Sequence, residues 1–189
     1  MEIFEKLRLA NKIQMRDGEI SLMGTPVNIL PTSLLVTIQK GLIKEIGFKK
    51  AYSLIYEQAK AGSYQYNMEF IKSQKYTDQR VVIQRQIEIV TSAGWGKLQI
   101  IKNDFANKQI EIKYDNSTFA REYKKASYPV CLMPAGFTAG GVSANVKSDL
   151  DALETKCLAL GDPYCKIEIG PEPYIEGKQT MLWSSLKID

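Results

Sequence analysis

The chain contains no histidine in its 189 residues. That absence removes Ser-His and Cys-His nucleophilic catalysis, imidazole proton shuttling and imidazole metal ligation together. Any metal held here must rely on thiolates, carboxylates, carbonyls or water. Cysteine is scarce too: Cys131, Cys157 and Cys165 are the only three. Their odd number, with no sign of secretion, argues against a disulfide framework. No apolar run approaches the ~18–20 residues of a membrane span. The opening residues, Met1-Glu-Ile-Phe-Glu-Lys-Leu-Arg8, are too charged for a secretory signal. Basic charge is not concentrated: 25 Lys and Arg stand against 21 Asp and Glu, a net +4, scattered and without the dense basic face of a nucleic-acid binder. No glycine loop for nucleotides follows a strand, because Gly136-Phe-Thr-Ala-Gly140-Gly141 lies inside an apolar stretch. No paired carboxylates and no nucleophile–base arrangement stand out, so catalysis has little support. The expectation is a soluble, cytoplasmic protein that binds neither nucleic acid nor membrane.

What is present is enough for one substantial core. Apolar residues make up 44% of the chain, with ten Tyr, six Phe and two Trp, which suits a single ordinary domain. Residues 1–32 read as an N-terminal extension containing a hairpin, because Asp17-Gly18 divides two alternating segments. Helical spacing follows from Ser33 to Gly47, with Thr32 or Ser33 as the cap. Further helices are predicted over Lys49–Ala61, stopped by Gly62, over Tyr64–Ser73, and from Thr77 to Gly94. The stripe Val81, Val82, Ile87, Val90 and Ala93 on that last helix reads as core packing. After Gly94 the period shortens to two, and residues 95–101 and 108–114 predict an antiparallel hairpin. A short helix over 118–123, capped by Asn116 or Ser117, comes next. Pro129 to Val146 then holds an almost uncharged helix rich in Ala, Gly and Ser. Small residues let backbones approach closely, so this helix packs tightly or walls a pocket. A final hairpin is expected from Leu150–Leu160 and Tyr164–Ile169. Residues 171–189 read as a tail with one more strand or helix near 180–186.

The cysteines carry the chemistry. Cys157-Leu-Ala-Leu-Gly-Asp-Pro-Tyr-Cys165 brackets a Gly-Asp-Pro turn, and Cys131 lies near the start of the small-residue helix. Two thiols gathered by a turn, joined by a third from elsewhere, can build a soft-metal site. Reduced thiols buried as small apolar groups and a Cys157–Cys165 disulfide remain open beside it. Aromatic side chains upstream, Tyr52, Tyr56, Tyr64, Tyr66 and Phe70, are those expected to approach a pocket lined by Gly136 and Gly140.

Between Asn116 and Ile169 the chain resembles the 4-vinyl reductase domain family. The matching residues are Asn116-Ser117 with Ala120, Pro129-Val-Cys131, Ala135-Gly136 with Ala139-Gly140, and Glu154-Thr-Lys-Cys157 with Gly161-Asp-Pro-Tyr-Cys165-Lys-Ile. Upstream, Gly41-Leu-Ile-Lys-Glu-Ile-Gly47 extends the likeness, which covers roughly residues 33–170. The resemblance implies an α+β fold, an antiparallel sheet packed against several helices, often dimeric and enclosing a hydrophobic pocket. Relatives include sensory domains of phenol- and xylene-responsive activators and, more distantly, TRAPP vesicle-tethering subunits. In the aromatic sensors three cysteines and a carboxylate hold zinc, which points to Cys131, Cys157 and Cys165 here. The sensors' glutamate lies near a Ser-x-Glu, where this chain has Ser117-Thr118-Phe119. Asp115, Glu122 and Glu154 are nearby but none occupies that position, leaving a water or ligand to complete the shell. The function implied is a regulatory module, a homodimer that binds a small hydrophobic molecule and reports to a partner protein. The alternatives are a TRAPP-like interaction scaffold or an enzyme acting on a tetrapyrrole-like substrate.

Overall fold

A computed structural model describes residues 13–22, 25–73 and 78–188. The element expected before the first hairpin, and the Thr77 helix start, lie outside the described residues. Strands β1 (Ile13–Arg16), β2 (Glu19–Leu22) and β3 (Thr25–Val27) form a three-stranded antiparallel sheet in chain order. Its first turn is the expected Asp-Gly pair. Asp17 and Gly18 both take positive φ, 52° and 86°, the backbone that a tight two-residue hairpin requires.

Helix α1 (Thr32–Ile46) ends at Gly47, whose φ of 79° carries the chain out of the helix. Neither Thr32 nor Ser33 caps it: the N-cap is Pro31, which makes no side-chain bond. The larger departure is α2, a single helix of 26 residues from Phe48 to Ser73. Gly62 does not stop it. The buried positions Tyr52, Tyr56, Ser63, Asn67 and Phe70 recur at spacings of four, seven, four and three, keeping one helical face straight through the glycine. Tertiary packing of that face outweighs the roughly 1 kcal/mol that glycine costs in a helix interior. Asp78 caps α3 (Gln79–Ser92) by accepting the Arg80 N–H.

The main sheet contains β4 (Lys97–Asp104), β5 (Gln109–Asp115), β6 (Asp151–Lys156) and β7 (Cys165–Gly170), antiparallel throughout in the order β4-β5-β7-β6. Alternation along β5 and β7 sends Ile110, Ile112, Tyr114, Cys165, Ile167 and Ile169 into the core, each no more than 2% exposed. The short α4 (Thr118–Tyr123) is capped by Ser117, and α5 (Leu132–Val146) is the small-residue helix, buried along most of its length. It lies between the sheet and α2. The last strand pair is shorter than expected, because β6 ends at Lys156 rather than Leu160. Asp162 accepts the Cys157 N–H at 2.8 Å and Leu158–Leu160 wind into a 3-10 turn closed by Gly161. Residues beyond 171 form α6 (Glu172–Leu186). It is pinned to β7 where Tyr174 and Lys178 reach Glu168, and to α2 where Trp183 meets Tyr52 edge-on at 5.1 Å. The expected α+β architecture is the one observed.

Candidate functional site

Four segments converge at one end of α5. Cys131 is its N-cap, Glu154 comes from β6, Cys157 follows β6, and Cys165 opens β7. Their ligating atoms all lie within 4.8 Å of one another, and all four residues are buried. The three cysteines are free thiols, which removes the disulfide reading. The Cys131 and Cys165 sulfurs stand 3.8 Å apart.

Glu154 is the residue that the sequence reading did not place. Opposite Ile167 in the β6–β7 ladder, it occupies a core-facing position where the alternation would put an apolar side chain. One carboxylate oxygen accepts the Cys131 backbone N–H at 2.8 Å. The other, Oε1, is buried with no partner among the described residues. A buried, half-satisfied carboxylate beside three thiols is costly unless a cation shares the site.

The electrostatics agree. Hydrogen bonds from Cys131 and Cys165 hold the Cys157 thiol far below its ordinary pKa, helped by the Val130 and Ala159 backbone. Cys131 is pushed up in turn by its hydrogen bonds to Cys157 and Cys165, and then by burial. Burial raises Glu154 well above the usual carboxylate range, and the Cys157 charge adds to the shift. These shifts oppose ionising all four groups together, a cost that a cation sharing the site would offset. A second ring of donors is in place around the cluster. Leu158 N–H reaches Cys165 Sγ at 3.3 Å, and Ser117 Oγ lies 3.3 Å from Cys131 Sγ. The residues present fit a metal ion.

Next to this cluster is an apolar cavity of about 970 Å³. The N-terminal sheet supplies one wall through Ile13, Met15, Ile20 and Leu22; α3 supplies Ile83, Ile87 and Val90; α5 supplies Phe137, Thr138, Gly141 and Val142. Ile87 and Val90 belong to the stripe read as plain core, whereas Val81 of that stripe is 36% exposed. Tyr114 joins cluster and cavity. It lines the cavity, pairs with Cys165 across the sheet, and shares a 2.7 Å hydrogen bond with Thr138.

The aromatic residues named from sequence divide between two places. Tyr66 and Phe70 line the cavity. Tyr52 and Tyr56, stacked at 5.5 Å, border a separate cleft of about 360 Å³ with Asp151, Glu176 and Trp183. Tyr64 is 41% exposed. Gly136 and Gly140 face α2 rather than the cavity: an added Cβ would collide with the Tyr56 carbonyl at the first and the Lys60 carbonyl at the second. The cavity-facing positions on α5 are their neighbours.

Comparisons with known proteins bear on this arrangement. Residues 110–171 match the 4-vinyl reductase domain, which confirms the resemblance over that span. An uncharacterized protein of Methanocaldococcus jannaschii is 35% identical over 75 residues, covering 36% of this chain and 33% of the relative. The chain thus spans about a third of the length of that curated relative. Among solved structures, the phenol-responsive sensory domain of the transcription activator PoxR, determined with phenol, aligns over 87% of both chains. Its TM-score is 0.75, at 21% identity. A trafficking protein particle complex subunit 3 from Naegleria fowleri, covalently bound to palmitic acid, aligns over 74% of this chain and 93% of its own with a TM-score of 0.52, at 10% identity. These likenesses establish the fold.

Proposed function

We propose that this protein is a sensor or regulatory module that holds a small hydrophobic molecule in its apolar cavity, beside a structural zinc site formed by Cys131, Glu154, Cys157 and Cys165. The observation that carries the reading is α5 itself. Its N-cap is a member of the cysteine–glutamate cluster, and its middle walls the 970 Å³ cavity. The ligand-bearing PoxR domain, with its similar fold, supports the sensory part.

Zinc is favoured over other ions by the donor set. Three thiolates and one carboxylate suit a borderline-soft ion, and Zn–S bonds of about 2.3 Å in a tetrahedron place two sulfurs about 3.8 Å apart. The Cys131–Cys165 separation of 3.8 Å has that span. Four protein ligands close the shell, the mark of a structural rather than catalytic ion. Bound zinc would neutralise the thiolates and tie the start of α5 to the β6–β7 turn. On this reading the protein is not an enzyme. It acts in the cytoplasm as a homodimer and passes its signal to a partner protein. Support for self-association comes from α1, whose Leu34, Ile38 and Ile46 are 45%, 52% and 40% exposed, an apolar row on one helix.

Native mass spectrometry of the purified full chain tests the reading directly. A dimer with one zinc per subunit and a co-purifying or exchangeable apolar molecule is the expected result. A metal-free protein whose three thiols alkylate readily while folded would overturn the zinc site. A cavity that takes up no apolar probe would overturn the sensor.

A further inference from the structure

Among the described residues that line the cavity there is no Asp, Glu, Lys or Arg, and the chain contains no histidine. Its polar groups are hydroxyls, amides and the Trp95 indole, and several of the hydroxyls and amides are engaged within the protein. Gln86 donates to Asn67 Oδ1 at 2.7 Å, Asn145 donates to Gln86 Oε1 at 3.3 Å, and Asn67 donates to the Ser63 carbonyl at 2.8 Å. Tyr114 and Thr138 are bonded to each other, and Thr138 also donates to the Pro134 carbonyl. Tyr66 differs: its hydroxyl is buried and has no hydrogen-bond partner among the described residues. Burial raises its pKa, so it persists as a neutral donor.

Size is the second constraint. At about 970 Å³, the cavity matches the liquid volume of roughly thirty waters and sits at the upper end of the ~300–1,000 Å³ usual for ligand pockets. A single aromatic ring would leave most of it unfilled and forfeit the contacts that stabilise an apolar complex.

We infer that the cavity selects an uncharged, lipid-sized molecule carrying one carbonyl or hydroxyl oxygen that meets the Tyr66 hydroxyl. This rests on the cavity being a ligand site, as proposed above, and goes further in naming the ligand class. A fatty carboxylate is disfavoured because no cation is among the described lining residues to offset its desolvation. A pure hydrocarbon fits the volume but leaves Tyr66 unsatisfied.

Competition against Nile red, itself uncharged, tests the inference on the full-length protein. The competitors are hexadecan-2-one, hexadecan-1-ol, hexadecane, phenol, and palmitate at about pH 8, where its carboxyl is ionised. The ketone and alcohol are expected to compete at concentrations roughly tenfold below palmitate and far below phenol. Tyr66→Phe should weaken the ketone roughly fivefold while leaving hexadecane unchanged, with far-ultraviolet circular dichroism matching the parent. Palmitate or phenol competing as well as the ketone would overturn the ligand class while leaving the cavity reading intact, as would a Tyr66→Phe loss shared equally by hexadecane. Failure of Nile red and hexadecane to bind at all would overturn both.

Discussion

The backbone N–H of Cys131 donates to the carboxylate of Glu154 at 2.8 Å, across 23 residues of sequence. This bond ties the first turn of α5 to β6 and leaves the second carboxylate oxygen buried without a partner among the described residues, free to serve a metal.

Removal of the ion should therefore loosen both elements. At metal concentrations about a thousandfold above Kd, binding stabilises by about 4 kcal/mol, and each kcal/mol moves Tm by roughly 2–4 °C at this chain length. We expect a strong chelator to lower Tm by about 10 °C and readdition of zinc to restore it, read by differential scanning calorimetry. Glu154→Gln should reduce zinc affinity at least tenfold, because the amide remains able to accept the Cys131 N–H but supplies no charge to the ion.

Two glycines on facing helices should respond in opposite directions. At Gly140 a methyl group would strike the Lys60 carbonyl, whereas at Gly62 a Cβ meets nothing within 4 Å. Gly140→Ala should destabilise by about 1–3 kcal/mol through overpacking. Gly62→Ala should stabilise by up to about 1 kcal/mol through helix propensity. Urea unfolding of both variants checks the pair.

Acid stability should turn on Glu168. This side chain is 4% exposed. Burial would raise its pKa, but hydrogen bonds from Lys166, Lys178 and Thr155 prevail and bring it from 4.5 to about 2. A folded-state pKa below the unfolded value means the contribution is complete above about 4.5 and is lost as pH falls toward 2. Allowing for the partly exposed lysines, its size is on the order of 2 kcal/mol. Glu168→Gln should lower stability at neutral pH and flatten the decline between about pH 4.5 and 2, measured by denaturant titration at each pH.

Filling the cavity should separate ligand binding from metal binding. Ile87, 7% exposed, lines the cavity from α3, well away in sequence from the cysteine–glutamate cluster. Ile87→Trp should cut Nile red affinity at least tenfold, about 1.4 kcal/mol, while zinc content by elemental analysis stays at one per chain.

Much of this was legible in the residues. Asp17-Gly18, the Gly47 stop, the shift of period after Gly94 and the turn between Cys157 and Cys165 each act within a few neighbours, so local chemistry reveals them. Glu154 was hidden for a different reason. Its inward orientation depends on strand register, and that register follows from the 3-10 turn at Leu158–Leu160 and the ladder shift between Glu154 and Lys156, which alternation alone does not reveal. Gly62 misled because its propensity cost is overridden by a helix that does not adjoin it in sequence. The cavity wall supplied by the N-terminal sheet and the split of the tyrosines between two clefts are likewise products of assembly.

The backbone contact between Gly136 and Gly140 on one side and Tyr56 and Lys60 on the other has a further consequence. At these two positions no side chain of α5 separates it from the α2 backbone, and the Ser63 hydroxyl donates to the Phe137 carbonyl across the same seam at 2.6 Å. The seam therefore leaves little room for α5 to move toward α2 when the cavity beside Phe137 and Thr138 is filled.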